Sequence, residues 1–176
     1  AVLGATYARF LFAAPWALLA AFLLTRSQMP GPTPAFIGWA LLGAASQIAA
    51  QVLLLRLFSL RNFAVGNAFA RTETVQAAIV GAVLLGDWLA FWPAIGILVS
   101  VAGVILLSAR GALAGGGFDR TAALTGIACG FGFAISSVSY RAASLGLEGE
   151  AGYLARAALT LALVTLSQTV AMTIWM

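Results

Sequence analysis

The chain has no lysine, no histidine and a single cysteine, and only 8% of its 176 residues are charged. Each shortage excludes a class of protein. Without histidine, and with five scattered acids, no group of side chains has the spacing that holds a metal ion, so neither metal nor other cofactor is expected. One cysteine, Cys129, leaves no intrachain disulfide. Soluble domains carry about 25% charged residues, and a water-soluble core could not cover itself with so few. The nine basic residues, all arginine, give a pI near 10.2, but they are spread along the chain instead of clustered among polar groups. Nucleic acid is therefore not an expected partner.

What is present is apolar sequence in long runs, 62% hydrophobic with a mean hydropathy of +1.04. Crossing about 30 Å of hydrocarbon takes roughly 20 mostly apolar residues in a helix. Proline, glycine and charge divide the chain into six such spans, at about 3–25, 35–57, 62–85, 88–108, 121–143 and 151–176. The connections are short. Pro30, Pro32 and Pro34 close the first, and a Gly115-Gly116-Gly117 run lies in the linker 111–120. Short loops force consecutive helices to pack antiparallel. The expected fold is all-α, a polytopic membrane helix bundle forming one membrane domain. The chain opens on alanine and closes inside the apolar run AMTIWM, so a piece of a longer protein is expected, with a helix already under way at residue 1.

A weak internal repeat orders the spans. YARFLFAAPWALLAAFLL from Tyr7 has a counterpart in YLARAALTLALVTLSQTV from Tyr153, with Arg9 matching Arg156 at an offset of 147 residues. The span at 121–143 then lacks a partner in the first copy, as it would if one helix preceded residue 1. Five helices per copy is an odd number, which inserts the copies in opposite orientation, an arrangement found in transporters.

The segment from Asn67 to Ser108 resembles the end of an EamA repeat of the drug/metabolite transporter superfamily. Leu84, Leu85, Gly86 and Asp87 stand as its L-L-G-acid turn, and Gly96 to Val104 as the following helix; TGIACGFGFAISSVSYRAAS, after Thr121, resembles the start of the second repeat. The resemblance implies ten helices in two inverted repeats (5+5), of which this chain holds roughly helices 2 to 7. Residues 1–110 would be a first repeat lacking its first helix, and 121–176 the truncated start of the second. It also implies a carrier. Two departures stand out: Thr72, Glu73 and Thr74 occupy a stretch where family members usually have proline, and the span 121–143 lacks the glutamate that small multidrug relatives carry in the first helix of the repeat.

Read as one continuous helix, 61–87 places Arg71 and Glu73 near mid-bilayer. An ionisable group there costs roughly 2.5–3.5 kcal/mol and normally faces a bundle interior or a wet cavity. Two positions apart, their side chains would diverge by about 200° and not pair. Arg71 shares a stripe with Asn67 and Thr74, and Glu73 lies one turn from Gln76. Arg71, Glu73, Asn67 and Gln76 are thus candidate solute-binding residues, as are Gln47 and Gln51 one turn apart on the preceding span, and Ser136 and Tyr140 on the fifth. Each has a structural alternative as an interhelix hydrogen bond or ion pair. Gly96, Ser100 and Gly103 form a small-residue seam suited to close helix packing, between repeats or between subunits of a homodimer. Gly130 and Gly132 read the same way, with a local kink as their alternative. The remaining arginines, among them Arg9, Arg141 and Arg156, suit anchoring at headgroups, and Trp16 lies deep enough to face a solute.

The sequence therefore predicts a transporter, not an enzyme, that moves a small metabolite or amphiphilic solute by alternating access, with that solute and membrane lipid as partners. A structural or assembly subunit of a membrane complex is the alternative. An intramembrane lipid-modifying enzyme would want a nucleophile with a base, or a liganded metal, and the spans offer neither. Arginine, alanine and glycine bias without lysine points to a GC-rich bacterial source and its cytoplasmic membrane.

Overall fold

The computed structural model of the chain describes residues 2–26, 28–59, 63–86, 91–113 and 120–175. Among them the regular structure is all helical: α1 (Val2–Thr25), α2 (Pro34–Leu57), α3 (Phe63–Ala70), α4 (Glu73–Leu85), α5 (Phe91–Leu113), α6 (Arg120–Leu145) and α7 (Tyr153–Trp175). Five segments are long and apolar enough to cross a membrane: Gly4–Thr25, Pro34–Leu57, Ala68–Leu85, Arg120–Leu145 and Tyr153–Trp175. The expected first, second, fifth and sixth spans coincide with α1, α2, α6 and α7 to within a few residues. The expected 88–108 overlaps α5, whose apolar stretch is Ala94–Gly103. Arg61, Asp87, Trp88 and the glycine run of the linker lie outside the described residues.

Packing divides the chain into two units, Ala1–Ile48 with Ser136–Met176, and Ala49–Ile135. In the first, α1 lies along α7. They run antiparallel: Tyr7, near the start of α1, meets Thr173 near the end of α7 with 3.4 Å between hydroxyl oxygens, and Ala21 packs on Ala158 and Ala162. Alanine at those crossing points keeps the two helices close. A second cluster joins Phe36, Ala40 and Ala44 of α2 to Ala143, Leu147 and Val164, with Trp39 and Tyr140 packed against it.

Helix α7 carries Thr160, Thr165, Ser167, Thr169 and Thr173, and each donates its hydroxyl to the carbonyl four residues earlier at 2.7–2.8 Å. Every hydroxyl is thus satisfied within the helix, which is how such residues enter hydrocarbon without an exposed donor. At the loop end of this unit Thr33 caps α2. Its hydroxyl oxygen accepts from Phe36 N at 3.1 Å and donates to Gly146 O at 2.7 Å, with Pro34 at the first helical position. Gly31 and Glu148 exchange backbone hydrogen bonds of 2.9 and 3.0 Å, fastening the α1–α2 loop to the α6–α7 loop. Arg156, expected at the headgroups, instead turns its guanidinium onto the carbonyls of Leu147, Gly149 and Ala151, the loop's own unsatisfied acceptors.

In the second unit α3 and α4 pack against α5, and α3 meets the first half of α6 at backbone contact. A Cβ on Gly126 would overlap the Gly66 carbonyl; one on Gly66 would lie 3.0 Å from Ala122 O, and one on Gly130 would lie 2.9 Å from Ala70 O. Gly126 and Gly130, four apart on α6, face Gly66 and Ala70, four apart on α3, the small-residue spacing that lets membrane helices touch. The seam expected at Gly96, Ser100 and Gly103 is not used this way among the described residues. Gly96 and Gly103 are exposed, a Cβ on either would meet nothing, and Ser100 is half-buried.

This contrast predicts that Gly126→Val, which forces overpacking worth about 1–3 kcal/mol, lowers the thermal unfolding midpoint of the detergent-purified protein. Gly96→Val and Gly103→Val should leave that midpoint unchanged, as followed by tryptophan fluorescence during heating.

Candidate functional site: a broken span and a buried amide cluster

The third span is not the single helix expected over 61–87. α3 stops at Ala70 and α4 starts at Glu73. Between them the helical bond pattern tightens: Arg71 N donates to Ala68 O at 3.1 Å and Thr72 N to Phe69 O at 3.0 Å, both i→i−3, before i→i−4 bonding resumes with Gln76 N to Thr72 O at 3.0 Å. The carbonyls of Ala70 and Arg71 fall between the two patterns. Side chains hold the junction. Thr72 donates its hydroxyl to Phe69 O at 2.6 Å, competing for a carbonyl that a continuous helix would use, and its oxygen accepts from Gln76 Nε2 at 2.7 Å. Gln76 Nε2 also reaches Ile127 O on α6 at 3.4 Å. Because the Thr72 proton is already spent on Phe69, the amide must present its nitrogen, and Gln76 Oε1 is left buried without a protein partner. Gly130 lets α6 approach this junction; a side chain there would crowd Ala70 O, Glu73 N and the Gln76 amide together. Glu73 in the first turn of α4 suits the positive end of the helix dipole.

The break changes the geometry of the two charges. On one helix they would diverge, but here Arg71 and Glu73 both line a cavity of about 180 Å³, walled by Leu54, Ala70 and Phe133. Both side chains thus contribute to the lining of one cavity, across a junction that the sequence does not announce. Arg71 is exposed and Glu73 half-buried. Gln76 is held at the junction as described, not stacked over Glu73 as a free orienting group. The side chain of Asn67 lies outside the described ones. Gln51 is buried at 7% exposure in the same unit as Arg71.

In the other unit Gln47 and Tyr140 come together with a third residue that the sequence reading passed over, Gln168 of α7. The Tyr140 hydroxyl donates to Gln47 Oε1. Gln168 Nε2 gives its hydrogens to Gln47 Oε1 at 2.8 Å and to the Tyr140 oxygen at 3.2 Å, closing a three-membered ring of hydrogen bonds across α2, α6 and α7. Gln168 is 1% exposed. The ring of Tyr140 fits because residue 43 is glycine; a Cβ there would lie 2.5 Å from Tyr140 Cε1. Ser136 is buried beside this cluster on α6, whereas Trp16 is 73% exposed and takes no part. A signal for Gln168 was available in the sequence: it is the single amide in the last apolar run, inside the stretch that matches the first helix.

Chemically the two groups differ. The ring joins Gln47 Oε1, the Tyr140 hydroxyl and Gln168 Nε2 and ties three helices together. The Arg71–Glu73 cavity is lined by side chains of opposite charge at the point where the helical bond pattern changes. No family model, no curated protein and no solved structure matches the chain.

Intramembrane side-chain hydrogen bonds average about 0.6 kcal/mol and reach about 1.7. Tyr140→Phe and Gln168→Leu should each destabilise the purified protein within that range. The double variant should lose less than the sum, which equilibrium unfolding in mixed micelles would measure.

Proposed function

We propose that this chain is the membrane-embedded part of a transporter of EamA type, built on inverted repeats, which moves a small metabolite or amphiphilic solute across the membrane by alternating access. The observation that carries the reading is the interrupted third span, with Arg71 and Glu73 on either side of Thr72 and both facing one cavity. Non-helical backbone inside a membrane is tolerated where it is buried in protein or lines a water-filled cavity, and discontinuous helices are where secondary carriers bind solutes and coupling ions. The break also falls where the resembled family places proline, and here a threonine hydroxyl and a glutamine amide brace it.

The inverted repeat gains support from packing. The two stretches matched at an offset of 147 residues, in α1 and α7, lie side by side and antiparallel. A two-fold axis in the membrane plane would pair equivalent helices in this way. The bacterial cytoplasmic membrane is the compartment this reading assigns.

In proteoliposomes made with the full protein, Arg71→Ala and Glu73→Gln should each reduce flux of the transported solute at least tenfold, about 1.4 kcal/mol of lost interaction. Expression and unfolding midpoint should be unchanged. Gly96→Val should transport normally. Wild-type flux in both charge variants would remove this cavity from the mechanism.

A further inference from the structure

The cavity lined by Arg71 and Glu73 lies wholly within the unit Ala49–Ile135 and measures about 180 Å³. Sites for drug-sized ligands run to about 300–1,000 Å³, so the occupant here is smaller than those. Leu54 and Phe133 supply an aliphatic and an aromatic wall, and Arg71 and Glu73 are the polar side chains on the lining. The two charges are not equally available. Glu73 is half-buried and already has a partner within the protein. Arg71 is exposed, and among the described residues its guanidinium takes part in no hydrogen bond or ion pair; only its backbone N is bonded, to Ala68 O.

A guanidinium presents its N–H donors in a planar fork, accepts nothing and does not shed its proton in a protein. Inside a membrane span such a group is costly unless a counter-charge meets it. What matches it is a planar pair of anionic oxygens, held by two parallel hydrogen bonds. A neutral solute would leave the guanidinium unpaired. A cation would have to compete with the existing partner of Glu73 while standing beside the uncommitted Arg71. A single negative charge balances Arg71, whereas a second, as on a phosphate, would stand unpaired beside the Glu73 carboxylate. The walls at Leu54 and Phe133 are left for an apolar body.

We infer that the solute of this cavity is a small monocarboxylate with an apolar body, its carboxylate on Arg71 and its body against Leu54 and Phe133. The inference rests on the carrier reading for what the site is used for, and the test separates the two. The full protein, purified in detergent, is titrated calorimetrically with isovalerate, isovaleramide and isopentylamine, which share an isobutyl body and carry a negative charge, none and a positive charge. Isovalerate should bind at least about tenfold more tightly than the other two. Arg71→Gln should abolish that preference, Arg71→Lys, which keeps the charge without the fork, should retain part of it, and Leu54→Trp, which fills the cavity from a wall, should weaken isovalerate binding. No binding of isovalerate, equal or tighter binding of the amide or the amine, or an unchanged preference in Arg71→Gln would overturn the inference. Circular dichroism identifies any variant that fails to fold, and the comparison of the three probes on the wild-type protein needs no variant. Isovalerate bound with this preference but not moved in proteoliposomes would sink the carrier reading and keep the anion site. Flux of a neutral or cationic solute that Arg71→Ala abolishes, without preference for isovalerate, would keep the carrier and sink the anion site.

Discussion

A peptide group inside hydrocarbon has no water to turn to, and that constraint organises the whole chain. Most of it is met by helix, where each amide finds a carbonyl one turn back. The departures are met one by one. Five hydroxyls of α7 donate to their own helix, Thr33 caps α2 while reaching across to Gly146, and Arg156 gathers the open carbonyls of the loop before α7. Where the third span breaks, two i→i−3 bonds keep Arg71 N and Thr72 N paired, and the Thr72 hydroxyl and the Gln76 amide brace the junction from the side. Gln76 Oε1 is left buried there without a protein hydrogen-bond partner.

The second organising fact is the absence of a hydrophobic drive between helices in lipid, which leaves close contact and hydrogen bonding to hold them. Alanine at Ala21, Ala158 and Ala162 brings α1 onto α7, and glycine at Gly66, Gly126 and Gly130 brings α3 onto α6 until backbones touch. The amide ring of Gln47, Tyr140 and Gln168 adds directional bonds at the meeting of three helices. Both devices give rigid contact around the places where polar chemistry occurs. Gly130 belongs to the first device, and its missing side chain also lets α6 reach the broken junction.

A carrier needs a place where opening one side costs little, and an interrupted helix with charges at its broken ends has that character. In the proposed transporter the Arg71–Glu73 cavity would be the solute-facing element. The amide ring would be a tie within its own unit. These assign two different roles to polar groups that look alike in the sequence, each being a hydrophilic residue in an apolar run.

Helical class, membrane-compatible length and four of the span boundaries were legible in the sequence. Apolar run length and the placement of proline and charge are local properties, and lipid leaves few ways to satisfy them. Partners were not legible. Arg71 and Glu73 lie in a run that reads as one helix, and the turn at Thr72, braced by a threonine hydroxyl and a glutamine amide and approached through Gly130, is visible only in three dimensions. The loop carbonyls that Arg156 gathers are likewise invisible in one dimension. Small residues at Gly96, Ser100 and Gly103 and at Gly126 and Gly130 read alike, and only the neighbouring backbone shows that the second pair carries a contact within the chain. The sequence alone determined that this chain belongs among apolar helices. The tertiary structure decided which polar atoms meet, because a hydrogen bond between helices depends on how closely two backbones approach and at what register, and neither is written in either helix by itself.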